Sequence, residues 1–159
     1  MWRNLSIPVI ASLHGMCFGG GFQIALGADF RFATPDTKLS IMEAKWGLIP
    51  DMGITVPARE LMRADVLKEL TMTARIFSAT EGVQYGCVTR TCADPTAEAV
   101  KLAEEIIEKS PDMIASAKDL FNQTHAQGTE KMALDLETEL QKKIMAEMAK
   151  TGGFLQPPK

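Results

Sequence analysis

At 159 residues the chain has the length of one domain, and a domain of that size buries roughly 70% of its unfolded surface. It is 46% hydrophobic and 23% charged, as globular proteins are, and its net charge of -3 lacks the basic face that a nucleic-acid partner requires. No apolar run approaches the ~20 residues that span a bilayer, and Met1-Trp2-Arg3-Asn4 does not read as a secretory signal. Cys17, Cys87 and Cys92 are odd in number and have no metal-ligand spacing, which predicts reduced thiols, no metal and a cytoplasmic protein.

Ile7-Pro8-Val9-Ile10-Ala11-Ser12-Leu13 is apolar and β-branched at its start, with Gly15 close behind, and predicts a buried strand of a parallel or solenoid-like sheet. Gly19-Gly20-Gly21 opens a small-residue helix over Phe22 to about Ala28, and Asp29 follows as a turn or cap residue. Phe30-Arg31-Phe32-Ala33 reads as an alternating strand, Pro35-Asp36 as a turn, and Lys38-Leu39-Ser40-Ile41 as a third strand. From residue 58 the chain reads as mainly helical, with Pro57 starting the first helix late or kinking it.

Ser78-Ala79-Thr80-Glu81 has the pattern of a capping box, Gly86 is placed to end that helix, and Cys87-Val88-Thr89-Arg90-Thr91 predicts a strand. Asp94-Pro95 starts a helix whose apolar face is Ala99, Leu102, Ala103, Ile106 and Ile107, and Ser110-Pro111 repeats the device. The last helix is expected from about Thr129 to Ala149, with Met132, Leu136, Leu140, Ile144 and Met148 on one stripe as core or subunit contact. Gly152-Gly153 would end it and Gln156-Pro157-Pro158 would fray. The expected fold is α/β, in one domain.

Three glycines between a strand and a helix need a reason, since each costs ~1 kcal/mol relative to alanine in regular structure. One reading is a tight, closely packed turn. The other is a backbone left bare so that a ligand approaches, with helix-start amides facing an anion or a carbonyl oxygen that becomes negative in a transition state.

The stretch Pro8-Val9-Ile10-Ala11, His14-Gly15, Gly19-Gly20-Gly21-Phe22-Gln23-Ile24-Ala25-Leu26 and Ala28-Asp29-Phe30-Arg31-Phe32-Ala33 resembles the signature region of the crotonase superfamily. Its continuation from Leu39 through Glu43, Trp46, Pro50 and Asp51 to Gly53 resembles it too, as do Leu70–Ala79 and Gly86-Cys87-Val88. This resemblance implies a partial crotonase ββα superhelix over residues 1–92, with a C-terminal helical module over 93–159 in the same domain. It also implies an acyl-CoA substrate, no cofactor beyond that CoA thioester, and assembly into trimers or hexamers through the module. Roughly 100 further residues would precede Met1 and supply the other oxyanion-hole amide, and the chain as it stands would self-associate.

By the same resemblance, Gly20 matches the glycine whose amide holds the thioester oxygen, with Gly19 and Gly21 beside it at the substrate. Glu43 matches the second of the two glutamates used by the family's hydratases, while the first falls on Gln23. An amide cannot exchange protons near neutral pH, so enoyl-CoA isomerisation, which needs one base, is favoured over hydration. Asp51 lies eight residues beyond Glu43, where dienoyl-CoA isomerases carry an aspartate; it is read either as a second acid or as the N-cap of the next helix. Glu43 itself has a competing reading, a structural residue bonded to loop amides. Trp46 is a substrate-binding candidate by position, though its residue type reads as packing under the active-site loop. His14 reads as a hydrogen-bonded structural residue, His125 as an exposed helix end, and Glu104-Glu105 and Lys142-Lys143 as solvated faces. The alternative function is a non-catalytic fragment that keeps only the fold and the assembly surface.

Overall fold

Parallel strands need a crossover connection, and three of the four strand pairings in the first hundred residues are parallel. In the computed structural model, which describes residues 2–125 and 128–151, β1 (Ile10–Leu13) runs parallel to β3 (Phe30–Ala33), with Ile10 opposite Phe30. On its other side β3 pairs in parallel with β6 (Arg90–Thr91). A second ladder is built from β2 (Met16–Phe18), β4 (Lys38–Ser40) and β5 (Phe77–Ser78), parallel between β2 and β4 and antiparallel between β4 and β5. Only α1 (Gly20–Leu26) separates β2 from β3.

Several expected boundaries move. The strand expected over residues 7–13 is confined to its last four residues, and β2 was not anticipated at all. Helix α1 starts at Gly20 rather than Phe22, so two of the three glycines are already helical. Phe30–Ala33 does not alternate, because Arg31, Phe32 and Ala33 are all buried. Arg31 tolerates this by donating from Nε to the Cys87 carbonyl at 2.9 Å and from Nη1 to the carbonyls of Ala28 and Leu26. Asp29 takes the turn role expected of it, with Oδ2 accepting from the Val9 amide at 2.7 Å while its own amide donates to the Val9 carbonyl.

The core gathers Phe22, Leu26, Leu39, Ile41, Leu70, Phe77 and Val88, with Phe22 and Phe77 edge to face at 5.8 Å. Around it lie α2 (Thr55–Leu61), α3 (Ala64–Thr73) and α4 (Ala79–Gln84). Pro57 neither delays nor kinks α2: it is the third residue of the first turn, where a missing amide leaves no carbonyl unpaired. The strand expected over 87–91 shrinks to Arg90–Thr91, because the Cys87 and Val88 amides both turn back to the Gly82 carbonyl at the end of α4. Gly86, at φ 84°, makes that reversal, and a Cβ there would lie 2.1 Å from the Leu61 carbonyl oxygen.

The chain divides into two compact units, the first holding the residues up to Leu5 and Val9–Leu102, the second Ser6–Pro8 and the chain from Ala103. The division falls within α5 (Pro95–Ile107), ten residues beyond the boundary expected at residue 92. Asp94 Oδ1 caps α5 through the amides of Thr96 and Ala97, as its Asp-Pro signal predicts. Ile107 departs from the expected apolar face and is 77% exposed. In the second unit α6 (Pro111–Thr124), capped by the Ser110 hydroxyl, packs against α7 (Glu130–Thr151), and Lys118 Nζ donates to the Ile7 carbonyl. Glu104, Glu105, Lys142 and Lys143 are exposed, as is His125 at the end of α6. The expected stop at Gly152-Gly153 and the tail at 156–158 lie outside the described residues.

Candidate active site

The site is assembled where the β2–β4 ladder ends. Phe18 pairs with Ser40, and the next amide, that of Gly19, donates to the Ser40 carbonyl at 2.9 Å. The chain leaving β2 enters α1, and the chain leaving β4 enters a short 3₁₀ turn over Glu43–Trp46. Strand pairing therefore brings the glycine triplet and Glu43 together. Gly19 is the N-cap of α1 at φ 52°, ψ −128°, a conformation open to glycine and costly for any residue with a Cβ. No side chain caps the helix, so the first amides of α1 are left to other partners.

One turn along α1, Gln23 is buried at 2% exposure. Its Nε2 donates to Glu43 Oε1 at 2.5 Å, and its Oε1 accepts from the Met52 amide at 2.8 Å. The two bonds fix which end of the amide faces which partner. A carboxylate at position 23 would have to accept from Met52 while facing a second carboxylate. The other oxygen of Glu43, Oε2, is buried and has no hydrogen-bond partner among the described residues. Leaving a buried carboxylate oxygen unpaired costs stability, which is a reason to look for a ligand that would use it.

The triplet is crowded on its loop-facing side. A Cβ at Gly19 would come within 3.3 Å of Glu43 Oε1, and one at Gly20 within 2.5 Å of Met52 Sδ, whereas one at Gly21 would meet open space. Gly19, Gly20, Gln23 and Glu43 thus share one site, and Met52 joins them. No residue-type signal marked Met52 in advance, since a methionine in a loop carries none.

Three other candidates fall differently. Asp51 is exposed, and it caps no helix, because α2 begins behind Ile54 without a side-chain cap. Trp46 is 75% exposed, so it does not pack under the loop; Gly47, at φ 70°, closes the turn just after it and leaves the indole outside. His14 is exposed and makes no side-chain hydrogen bond among the described residues, contrary to the structural role expected of it.

Residues 2–155 match the family model described as enoyl-CoA hydratase/isomerase. The chain is 34% identical over 123 residues to the carnitinyl-CoA dehydratase of Escherichia coli K12, an alignment covering 76% of this chain and 47% of the relative. Among solved structures, a Thermobifida fusca YX protein in complex with CoA superposes with a TM-score of 0.89 at 30% identity, covering 94% of this chain and 58% of that one. An enoyl-CoA hydratase from Bacillus anthracis superposes with a TM-score of 0.86 at 28% identity, covering 91% and 57%. The chain spans about half the length of the curated relatives it matches. A match over nearly the whole chain and a shared backbone together establish that this chain belongs to the enoyl-CoA hydratase/isomerase family, within the crotonase superfamily.

Proposed function

We propose that the chain contributes the acid/base half of an acyl-CoA site, with enoyl-CoA isomerase chemistry favoured over hydration. The observation that carries this reading is the buried, unpartnered Oε2 of Glu43 beside a glycine triplet whose helix no side chain caps. Gly20 is the proposed donor to the thioester oxygen; one such donor is worth about 2.7–4 kcal/mol of barrier. Gly19 and Gly21 flank the substrate, and the exposed Trp46 lies on the same loop as Glu43. Support for the ligand comes from relatives: one structural neighbour holds CoA and another holds acetoacetyl-CoA.

The chemistry balances with one base. Glu43 Oε2 takes a proton from the α- or γ-carbon, and the electron pair left behind moves through the conjugated system onto the thioester oxygen. The same carboxyl returns that proton at the other carbon, so the double bond shifts with no net gain or loss of atoms. Hydration instead needs one group to activate water and another to deliver a proton, and the Gln23 amide does neither. Asp51, exposed on the loop, is the proposed second acid if one exists. Assembly into trimers or hexamers through the C-terminal helices belongs to the same proposal.

The test is to titrate the full chain with acetoacetyl-CoA and to follow turnover of a short enoyl-CoA, comparing it with Glu43→Gln. Turnover should fall about 100- to 10,000-fold while affinity stays within several-fold, because the lost charge serves proton transfer rather than binding. Equal turnover in the two proteins would remove Glu43 from the mechanism. Binding without turnover in either would favour a non-catalytic acyl-CoA-binding chain.

A further inference from the structure

Consecutive glycines each face a side chain from the loop that follows β4. Glu43 Oε1 stands over Gly19, and the Met52 thioether stands over Gly20, closer than any Cβ on that residue would allow. Whatever is held at the Gly20 amide therefore lies next to one loop wall that carries both the Glu43 carboxylate and the Met52 sulfur. The Met52 backbone is anchored, since its amide donates to Gln23 Oε1 at 2.8 Å, while its side chain is 53% exposed and is not enclosed by the core. An anchored main chain carrying a polarizable, unbranched side chain makes a wall whose shape depends on one residue.

We propose that Met52 is a specificity-determining residue, resting on the acyl-CoA reading above: its thioether bounds the space beside the carbon next to the thioester carbonyl and disfavours a branch there. The class selected is the straight-chain acyl-CoA. Glu43 and Met52 stand on the same loop-facing side, tied together through Gln23, so a branching methyl turned toward that side meets the Met52 thioether beside Gly20. Met52→Ala removes that wall and keeps the backbone N–H that Gln23 needs. Met52→Leu conserves volume and should preserve the preference.

The experiment measures dissociation constants of the full chain, Met52→Ala and Met52→Leu for butyryl-CoA and 2-methylbutyryl-CoA, which differ by one methyl group. A single such group in a close-fitting apolar site is worth about tenfold or more. Met52→Ala should therefore raise the affinity ratio of branched to straight ligand about tenfold, and Met52→Leu should leave it within about twofold. An unchanged ratio in Met52→Ala, with both ligands bound, overturns this inference and leaves the acyl-CoA reading standing. Loss of both ligands by Met52→Ala alone, at an unchanged melting temperature, also overturns it, because Met52 would then be needed for binding rather than for choice. No binding of either ligand by any of the three proteins overturns the inference together with the reading beneath it.

Discussion

A carboxamide in place of a carboxylate at position 23 changes what its neighbour is able to do. Gln23 gives Glu43 Oε1 a hydrogen bond and no proton, so one oxygen of the base is tethered and the other is left buried and open. The tether also reaches the main chain of Met52, which ties the carboxylate and the loop to one side chain. Replacing the amide tests the proton accounting directly. Gln23→Glu should raise the rate of hydration relative to isomerisation of one short enoyl-CoA, because it supplies the missing exchangeable carboxyl within 2.5 Å of Glu43. It should also lower the melting temperature near neutral pH, since two carboxylates at that spacing cannot both be charged without cost. An unchanged product ratio in a folded variant would show that Gln23 does not limit hydration.

At the scale of single elements, the shortest of the described α-helices, α4, carries a complete local signal. In α4 the Ser78 hydroxyl accepts from the Glu81 amide at 3.2 Å, and Glu81 Oε2 accepts from the Ser78 amide at 2.8 Å, so the box read from Ser-x-x-Glu is complete. The Ser78 backbone bond, with Arg75 adding to it, holds the Glu81 carboxyl below its usual pKa. A depressed carboxylate pKa contributes stability above the unfolded value, and that contribution is lost as pH falls through the lowered one. Ser78→Ala should cost about 1 kcal/mol near neutral pH, read as a melting temperature lower by about 2–4 °C. Most of that drop should persist at strongly acid pH, because the lost bond runs from a backbone amide that does not titrate, and no drop at either pH would show that the cap carries no stability. Arg75 extends the same element outward, bonding Glu69, Glu81 and Tyr85, a cluster that no local pattern forecasts.

Across the whole chain, exposed apolar side chains and open strand edges set the expected behaviour in solution. β1 ends one ladder, as β2 ends the other, and an unpaired edge offers its backbone to another chain. Met16, Trp46, Leu48 and Ile49 are all more than 60% exposed, an unusual display for a monomer. Sedimentation of the chain at micromolar concentration should therefore show association that grows with concentration, and a stable, compact monomer would contradict this. None of the described helices is long and apolar enough to cross a membrane, so a bilayer-spanning helix among them does not account for the apolar display.

The sequence by itself determined what depends on near neighbours along the chain. The capping box at Ser78, the helix starts at Asp94 and Ser110, the Asp29 turn and the parallel crossover were legible because each rests on turn or helix chemistry within a few residues. The signature around Gly19-Gly20-Gly21 and Glu43 was legible for a different reason, its likeness to a known family, and that likeness named residues without placing them. Tertiary structure alone decided the rest. Gln23 meets Glu43 across 20 residues and Met52 across 29, while Arg31 reaches the Cys87 carbonyl across 56. Partners that far apart leave no period or spacing in the sequence, so their pairing is set by which strands lie side by side. The same holds for the negative results: Asp51 caps nothing, since α2 begins without a side-chain cap, and Trp46 stays exposed at the end of the turn that Gly47 closes.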